Sequence, residues 1–317
     1  MDVAPFYNDI ADGPADGVAF WTRADDGVRL RLAHWPGGDH GKKGGKGTVL
    51  LFPGRTEYVE KYGRAARDLN GRGYGVVCID WRGQGLADRL DTDVNLGHVD
   101  AFSDYQRDVR AMVDAAGALN CAQPWFLMAH SMGGCIGLRA MHEGLAINAA
   151  AFSGPMWGLS MKARLRPLAW ALSWASHLIG RGRTYAPGTV RETYVLTTSF
   201  EENMLSRDAD MFAYMQAQAR AHPELSLGGP SLIWLYEALV ETRRLRAMTP
   251  PEVPTLTHLA SNERVVDPRP VHTVMACWKH GSLVLVPGAE HEILMETPAR
   301  RAAFFDEADT LYMAHSG

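Results

Sequence analysis

Cysteine is scarce in this 317-residue chain: Cys78, Cys121, Cys135 and Cys277 stand far apart, with no Cys-x-x-Cys pair and no Cys/His cluster. That spacing excludes a disulfide scaffold or a zinc module and predicts reduced, mostly buried thiols. An excess of one charge is also missing. Lys plus Arg is 32 and Asp plus Glu is 36, a net charge of −4, so there is no basic footprint for nucleic acid. Long hydrophobic runs are absent too; the apolar stretch at 168–179 is short and carries Ser and His, which excludes a membrane span. The first ten residues include Asp2 and Asp9 and no apolar h-region, so no signal peptide is expected and a cytoplasmic location is. No internal repeat is visible.

What is present is a core-forming composition, 46% apolar and 21% charged, in a chain large enough to be an enzyme. By length alone about two domains are expected. The low-complexity patch at 37–47, rich in Gly and Lys, predicts an exposed hairpin loop. It lacks the Gly-Lys-Ser/Thr ending of a phosphate-binding loop. Asp26-Gly27 between two apolar runs predicts an antiparallel hairpin at a sheet edge. Short apolar strands are then expected at 48–52, 76–80, 125–129 and 148–153, alternating with helices at 59–70, 102–119 and 133–142. Such alternation predicts a mostly parallel sheet of about eight strands with helices on both faces. From 155 to 248 the text is mainly helical (163–179, 200–222 and 231–246), and alternation resumes with a strand at 255–260, a helix from 268, a strand at 283–286 and a helix from 298. The organisation expected is one α/β core, 1–154 with 249–317, interrupted by a helical cap at 155–248.

The chemical signal is Ala129-His130-Ser131-Met132-Gly133, set between an apolar strand and a helix. This is a variant of the Gly-x-Ser-x-Gly nucleophile elbow, in which a sharp turn lifts the serine hydroxyl above the sheet. The bland reading is a serine capping a Gly-rich helix. Serine needs a base to take its proton, and in this arrangement acid and base follow it in the order Ser, acid, His. His291, in a loop just after the strand at 283–286, is the best-placed base. His222, His258, His272 and His280 read as packed or solvated, and His130 as pointing away from the elbow. Glu263 and Asp267 both follow the strand at 255–260; Glu263 is nearer its end, and Asp267, before Pro268, also suits a helix cap. The oxyanion hole would use the backbone N–H of Met132 and that of Arg55, in the turn after strand 48–52. An ordinary βα turn is the alternative for Arg55.

These residues carry a resemblance. Pro53-Gly54-Arg55, Asp80-Trp81-Arg82-Gly83-Gln84-Gly85, Gly97-His98-Val99 with Asp104-Tyr105, the elbow through Gly134, Glu263 to Asp267, and Glu290-His291-Glu292-Ile293-Leu294 stand in order. Together they resemble the bacterial lysophospholipase branch of the α/β-hydrolases, relatives of the monoacylglycerol lipases. The likeness continues into the insert at His222-Pro223-Glu224-Leu225 and Gly228-Gly229-Pro230 with Trp234. Gln84, where many relatives have His, is the most branch-specific detail. The resemblance implies an esterase of acyl glycerols or lysophospholipids that needs no metal or organic cofactor, with Glu263 at the usual acid position. Relatives generally have Asp there. Trp157, Trp170, Trp174 and Trp234 are expected to line an acyl pocket under the cap, and basic residues flanking 168–179 suggest transient contact with a membrane surface. A small-molecule esterase, a peptide hydrolase and a non-catalytic binding protein on the same fold are the competing readings. Oligomeric state has no signal in the sequence.

Overall fold

The computed structural model describes residues 1–37 and 45–317; most of the Gly/Lys-rich loop lies outside the described residues. Nine strands form one sheet: β1 (Val3–Ala4), β2 (Val18–Arg23), β3 (Arg29–Trp35), β4 (Thr48–Phe52), β5 (Gly75–Asp80), β6 (Trp125–His130), β7 (Ala150–Ser153), β8 (Thr255–Ala260) and β9 (Gly281–Val286). Their order is β1-β2-β3-β5-β4-β6-β7-β8-β9. The expected hairpin is β2–β3, and β3 meets β5 antiparallel, while every pair from β5 to β9 is parallel. The ninth strand is the two-residue β1, too short to show periodicity, which pairs with Ala19 and Phe20.

Helices are α1 (Asn8–Ala11), α2 (Gly63–Gly71), α3 (Tyr105–Ala118), α4 (Met132–His142), α5 (Arg166–Leu178), α6 (Tyr194–Thr197), α7 (Ala209–Ala221), α8 (Leu232–Leu245), α9 (Pro268–Ala276) and α10 (Pro298–Ala314). The continuous helix expected across 200–222 starts only at Ala209. Before it, the Asn203 side chain accepts from the N–H groups of Leu205 and Ser206 at 2.8 and 2.9 Å and makes a turn. Asp208 then caps α7 by accepting from Met211 N–H at 2.9 Å.

Strands β4, β5 and β6 are buried along their whole length. Alternation sends Leu50, Phe52, Val77, Ile79 and Leu127 to one face, with Met112 of α3, Ile136 of α4 and Val271 of α9. Val49, Leu51, Val76, Phe126 and Met128 take the other, with Leu69 of α2, Met215 of α7 and Phe304 and Tyr312 of α10. None of the cysteines is paired; Cys78 and Cys135 are buried, whereas Cys277 is exposed. No described helix is long and apolar enough to cross a membrane.

Beneath the loops that carry the chemistry is a buried ion cluster. Arg31 of β3 donates to Glu60 through both terminal nitrogens, at 2.8 and 2.7 Å, and to Asp80 at the end of β5 at 2.7 Å. All three side chains are fully buried. Asp80 also accepts from Val59 N–H and Leu86 N–H at 2.9 and 2.8 Å, so it ties the loops after β4 and β5 together. That explains the first residue of the Asp80-x-Arg82-Gly83 motif. Replacing Arg31 by Met strands two carboxylates in the core; a loss of about 3–5 kcal/mol in unfolding free energy is expected, measured by urea denaturation.

Candidate active site

Ser131 follows β6 without an intervening loop, at φ 50° and ψ −117°. A side-chain-bearing residue at positive φ is strained and must be held by its surroundings. Its N–H donates to the Ser153 carbonyl at 3.1 Å, and its own carbonyl accepts from Met156 and Gly134 N–H at 2.8 and 2.9 Å. The turn passes so near β4 that a Cβ on Gly133 would lie 2.1 Å from the Phe52 carbonyl oxygen. Ala129 stands inside β6, paired with Phe52 and Phe152, an extended position that accepts a methyl group.

Above the sheet Ser131 Oγ is 2.9 Å from His291 Nε2, and His291 Nδ1 is 2.8 Å from Glu263 Oε2. The other oxygen of Glu263 accepts from Val265 and Val266 N–H at 2.8 and 3.0 Å, which fixes its carboxylate toward the ring. Burial alone would push His291 down. The Glu263 carboxylate, with Glu292 and Glu57 further off, outweighs that and holds the imidazole above its ordinary value. Asp267 is engaged elsewhere: it caps α9 through Arg269 N–H at 3.2 Å and pairs with Arg166 and with Arg269 at 2.9 Å.

The turn after β4 lies beside the serine. Gly54 N–H donates to Glu57 and Thr56 N–H to Gln84 Oε1 at 3.1 Å; Arg55 N–H between them has no acceptor among the described residues. Gln84 Nε2 donates back to the Gly54 carbonyl at 3.1 Å, so one amide clamps both sides of the turn. Met132 N–H begins α4 and has no acceptor one helical turn earlier. A cavity of about 240 Å³ opens here, with Arg55, Ser131 and His291 on one side and Tyr194, Val195, Leu205 and Met215 on the other.

The tryptophans expected to line it stand elsewhere. Trp157 is core, stacked on Trp278 at 6.0 Å and donating to the Gly134 carbonyl at 3.1 Å. Trp170 packs edge-on to Tyr236, Trp174 is half exposed on α5, and Trp234 is buried beneath the Arg55 guanidinium. The apolar lining comes instead from α6, α7 and the turn between them, where aliphatic and thioether side chains carried no distinguishing pattern.

His130 corrects another expectation. Its ring faces the cavity, 4.8 Å from that of His291, with Nδ1 2.9 Å from the Ser153 carbonyl oxygen. Burial pushes it down to about 3, so it is neutral near pH 7. A polar cluster next to it was not foreseen. Lys61 Nζ sits 2.8 Å from Glu57 and 2.6 Å from Glu292, and Tyr62 donates to Glu57. Burial opposes the charge on Glu57, but the Lys61 ammonium and the Tyr62 hydroxyl overcome it and hold the carboxyl at about 2. Donor atoms of Glu57, His130 and Glu292 lie within 4.8 Å of one another, a spacing that suits a cation. The Lys61 ammonium already supplies positive charge between the two carboxylates. Only the Glu57/Lys61 spacing of four hinted at this in the sequence.

The family described as serine aminopeptidase S33 matches residues 44–298, and the chain belongs to it, as an α/β-hydrolase. Within that family it is similar to bacterial lysophospholipases. It is 30% identical over 301 residues to lysophospholipase L2 of Escherichia coli, covering 89% of this chain and 86% of that one. A probable lysophospholipase L2 of Haemophilus influenzae is 28% identical over 252 residues, covering 78% of each. A monoglyceride lipase from Saccharomyces cerevisiae shares the fold at a TM-score of 0.73 and 20% identity, over 93% of this chain and 95% of its own.

Removing Lys61 should expose how the cluster is balanced. Lys61→Met leaves Glu57 and Glu292 facing each other uncompensated; a loss of about 3–5 kcal/mol is expected, partly recovered by adding Glu292→Gln, measured by chemical denaturation.

Proposed function

We propose that the protein cleaves the carboxylic ester of lysophospholipids or monoacylglycerols through an acyl-enzyme formed on Ser131. The observation that carries this reading is the unbroken chain from Ser131 Oγ through His291 to Glu263 at the wall of a partly apolar cavity. His291 takes the serine proton through Nε2 as the hydroxyl attacks, then gives it to the departing alcohol. Glu263 holds the tautomer and stabilises the imidazolium. The N–H groups of Arg55 and Met132 receive the negative charge that develops on the carbonyl oxygen. Water, activated by the same histidine, then releases the fatty acid. The names of the relatives support a lipid ester as substrate. A carboxylic ester hydrolase of this kind uses 1–154 and 249–317 as its catalytic core and 155–248 as the cap over the acyl chain.

The cap also supports peripheral contact with lipid. Leu165, Leu168, Leu172, Trp174 and Leu178 of α5 and its approach are exposed, and Ile179 continues the patch. Lys162, Arg164, Arg181 and Arg183 flank it, all exposed. Apolar side chains ringed by basic ones suit an anionic bilayer surface.

Ser131→Ala is expected to abolish hydrolysis of monoacylglycerol, lysophospholipid and aryl esters while circular dichroism stays native; retained turnover would refute the mechanism. An amino-acid aryl amide run beside the esters separates peptide from ester hydrolysis. Because His291 must be neutral to act and its pKa is raised, kcat/KM should fall with decreasing pH through a limb above 6.5. Glu263→Gln should move that limb down and cut kcat by up to about 10⁴-fold. Asp267→Asn should leave the limb in place, and the opposite ranking would transfer the acid role. For the lipid surface, Leu168→Glu with Leu178→Glu should weaken cosedimentation with phosphatidylglycerol vesicles at least about tenfold. Unchanged binding would exclude α5 as the contact.

A further inference from the structure

We infer that Arg55 and Ser226 form a subsite for a phosphodiester anion beside the acyl-transfer centre, which makes a glycerophospho head group the preferred leaving alcohol. The inference rests on the ester-hydrolase reading and specifies its substrate.

Arg55, half-buried, contrasts with the other cations near the site. Arg31 is neutralised by Glu60 and Asp80, Lys61 by Glu57 and Glu292, and Arg82 by Asp108 and Asp26. Arg89 has no carboxylate partner among the described residues but spends its donors on the carbonyls of Gly83, Gly85, Glu224 and Ser226. The Arg55 guanidinium makes one side-chain hydrogen bond among the described residues, from Nη1 to the Gly228 carbonyl at 2.9 Å, and no ion pair. Its remaining N–H groups belong to a side chain that lines the cavity holding Ser131 and His291. Burial lowers its pKa to about 10, so it keeps its charge near pH 7 with no anion beside it. A half-buried guanidinium backed by the Trp234 ring and facing a cavity with no carboxylate beside it favours a ligand that supplies the counter-charge.

Two further features show a site shaped around this group. A Cβ on Gly97 would lie 2.8 Å from Arg55 Nη1, so a side chain there would make the guanidinium shift. Ser226 lines the same cavity, and its hydroxyl is buried with no hydrogen-bond partner among the described residues. A planar fork of N–H donors with a hydroxyl nearby suits phosphate oxygens. The carboxylates of Glu57 and Glu292, also at this cavity, both turn to Lys61, and neither forms an ion pair with Arg55.

Covalent reach agrees. The backbone N–H of Arg55 is the oxyanion donor proposed above, so its side chain starts where the substrate carbonyl oxygen sits. In a 1-acyl lysophospholipid the path from that oxygen to phosphorus, through the ester oxygen and the glycerol carbons, is of similar length to the arginine side chain. Neutral monoacylglycerol offers the guanidinium hydroxyl oxygens but no negative charge.

The test compares lysophosphatidylglycerol with monoacylglycerol of the same acyl chain, both as monomers, and follows the ratio of their kcat/KM values. A ratio cancels any loss that Arg55→Gln causes through the neighbouring oxyanion donor. In Arg55→Gln the ratio should drop at least tenfold, chiefly through KM for the phospholipid, and in Ser226→Ala severalfold. Glycerophosphoglycerol should inhibit aryl-ester hydrolysis competitively in the unsubstituted protein and lose that effect in Arg55→Gln. Proportional loss on both lipids would reduce Arg55 to a latch for Gly228 and overturn the subsite. Equal inhibition by inorganic phosphate would overturn its assignment to a lipid head group. If the unsubstituted protein cleaves neither lipid, the ester-hydrolase reading fails first, and the subsite with it.

Discussion

The site depends on one strained turn. Ser131 is held at positive φ between β6 and α4 because its N–H is taken by Ser153, its carbonyl by Met156 and Gly134, and its approach to β4 by a missing side chain at Gly133. Each restraint comes from a different part of the chain. The conformation therefore exists only once the central strands are packed, and the strain is offset by the sheet as a whole. The hydroxyl that results is aimed at His291 rather than at a capping position on its own helix.

Around that turn the protein places charges in pairs, and the pairings also organise the loops. Asp80 joins the loops after β4 and β5 while neutralising Arg31, and Glu263 is oriented by two backbone N–H groups before it meets His291. Lys61 links Glu57, which receives the Gly54 N–H of the turn after β4, to Glu292 next to His291. The two sides of the cavity floor are thus joined through a buried ammonium. Against this pattern the unpaired guanidinium of Arg55 stands out, and its place in the cavity gives the exception a chemical meaning.

The insert between β7 and β8 is less separate than its helical text suggests. Tyr214 of α7 donates to the Ala11 carbonyl at 2.7 Å, and Met211, Phe212 and Met215 pack with the second core cluster. The Met204 and Leu205 carbonyls accept from His291 and Glu292 N–H at 3.2 and 2.8 Å, so the insert also steadies the His291 loop. By contrast α5 packs mainly on α8 and turns an apolar face outward. One insert therefore serves as cavity wall, as support for the histidine loop and as exposed surface.

Strand and helix positions were legible because burial on both faces writes itself as short apolar runs, as in β4 and β6, and because Pro268 and Pro298 open helices where a missing N–H costs nothing. Ser131 and His291 were legible for a similar reason: an elbow and a post-strand loop are local patterns. Local sequence could not choose between Glu263 and Asp267, since both carboxylates follow the same strand and only the packed loop decides which one meets the imidazole. Nor could it place the tryptophans, because core, surface and cavity all accept a large aromatic ring. The direction of His130 and the partners of Lys61 and Arg55 are set by segments far apart in the chain. The sequence by itself determined the sheet and singled out Ser131 and His291, whose signals are periodic or contiguous; the carboxylate that meets His291, the cavity wall and the surroundings of Arg55 were decided by tertiary packing, because each depends on which distant side chain arrives at a buried polar group.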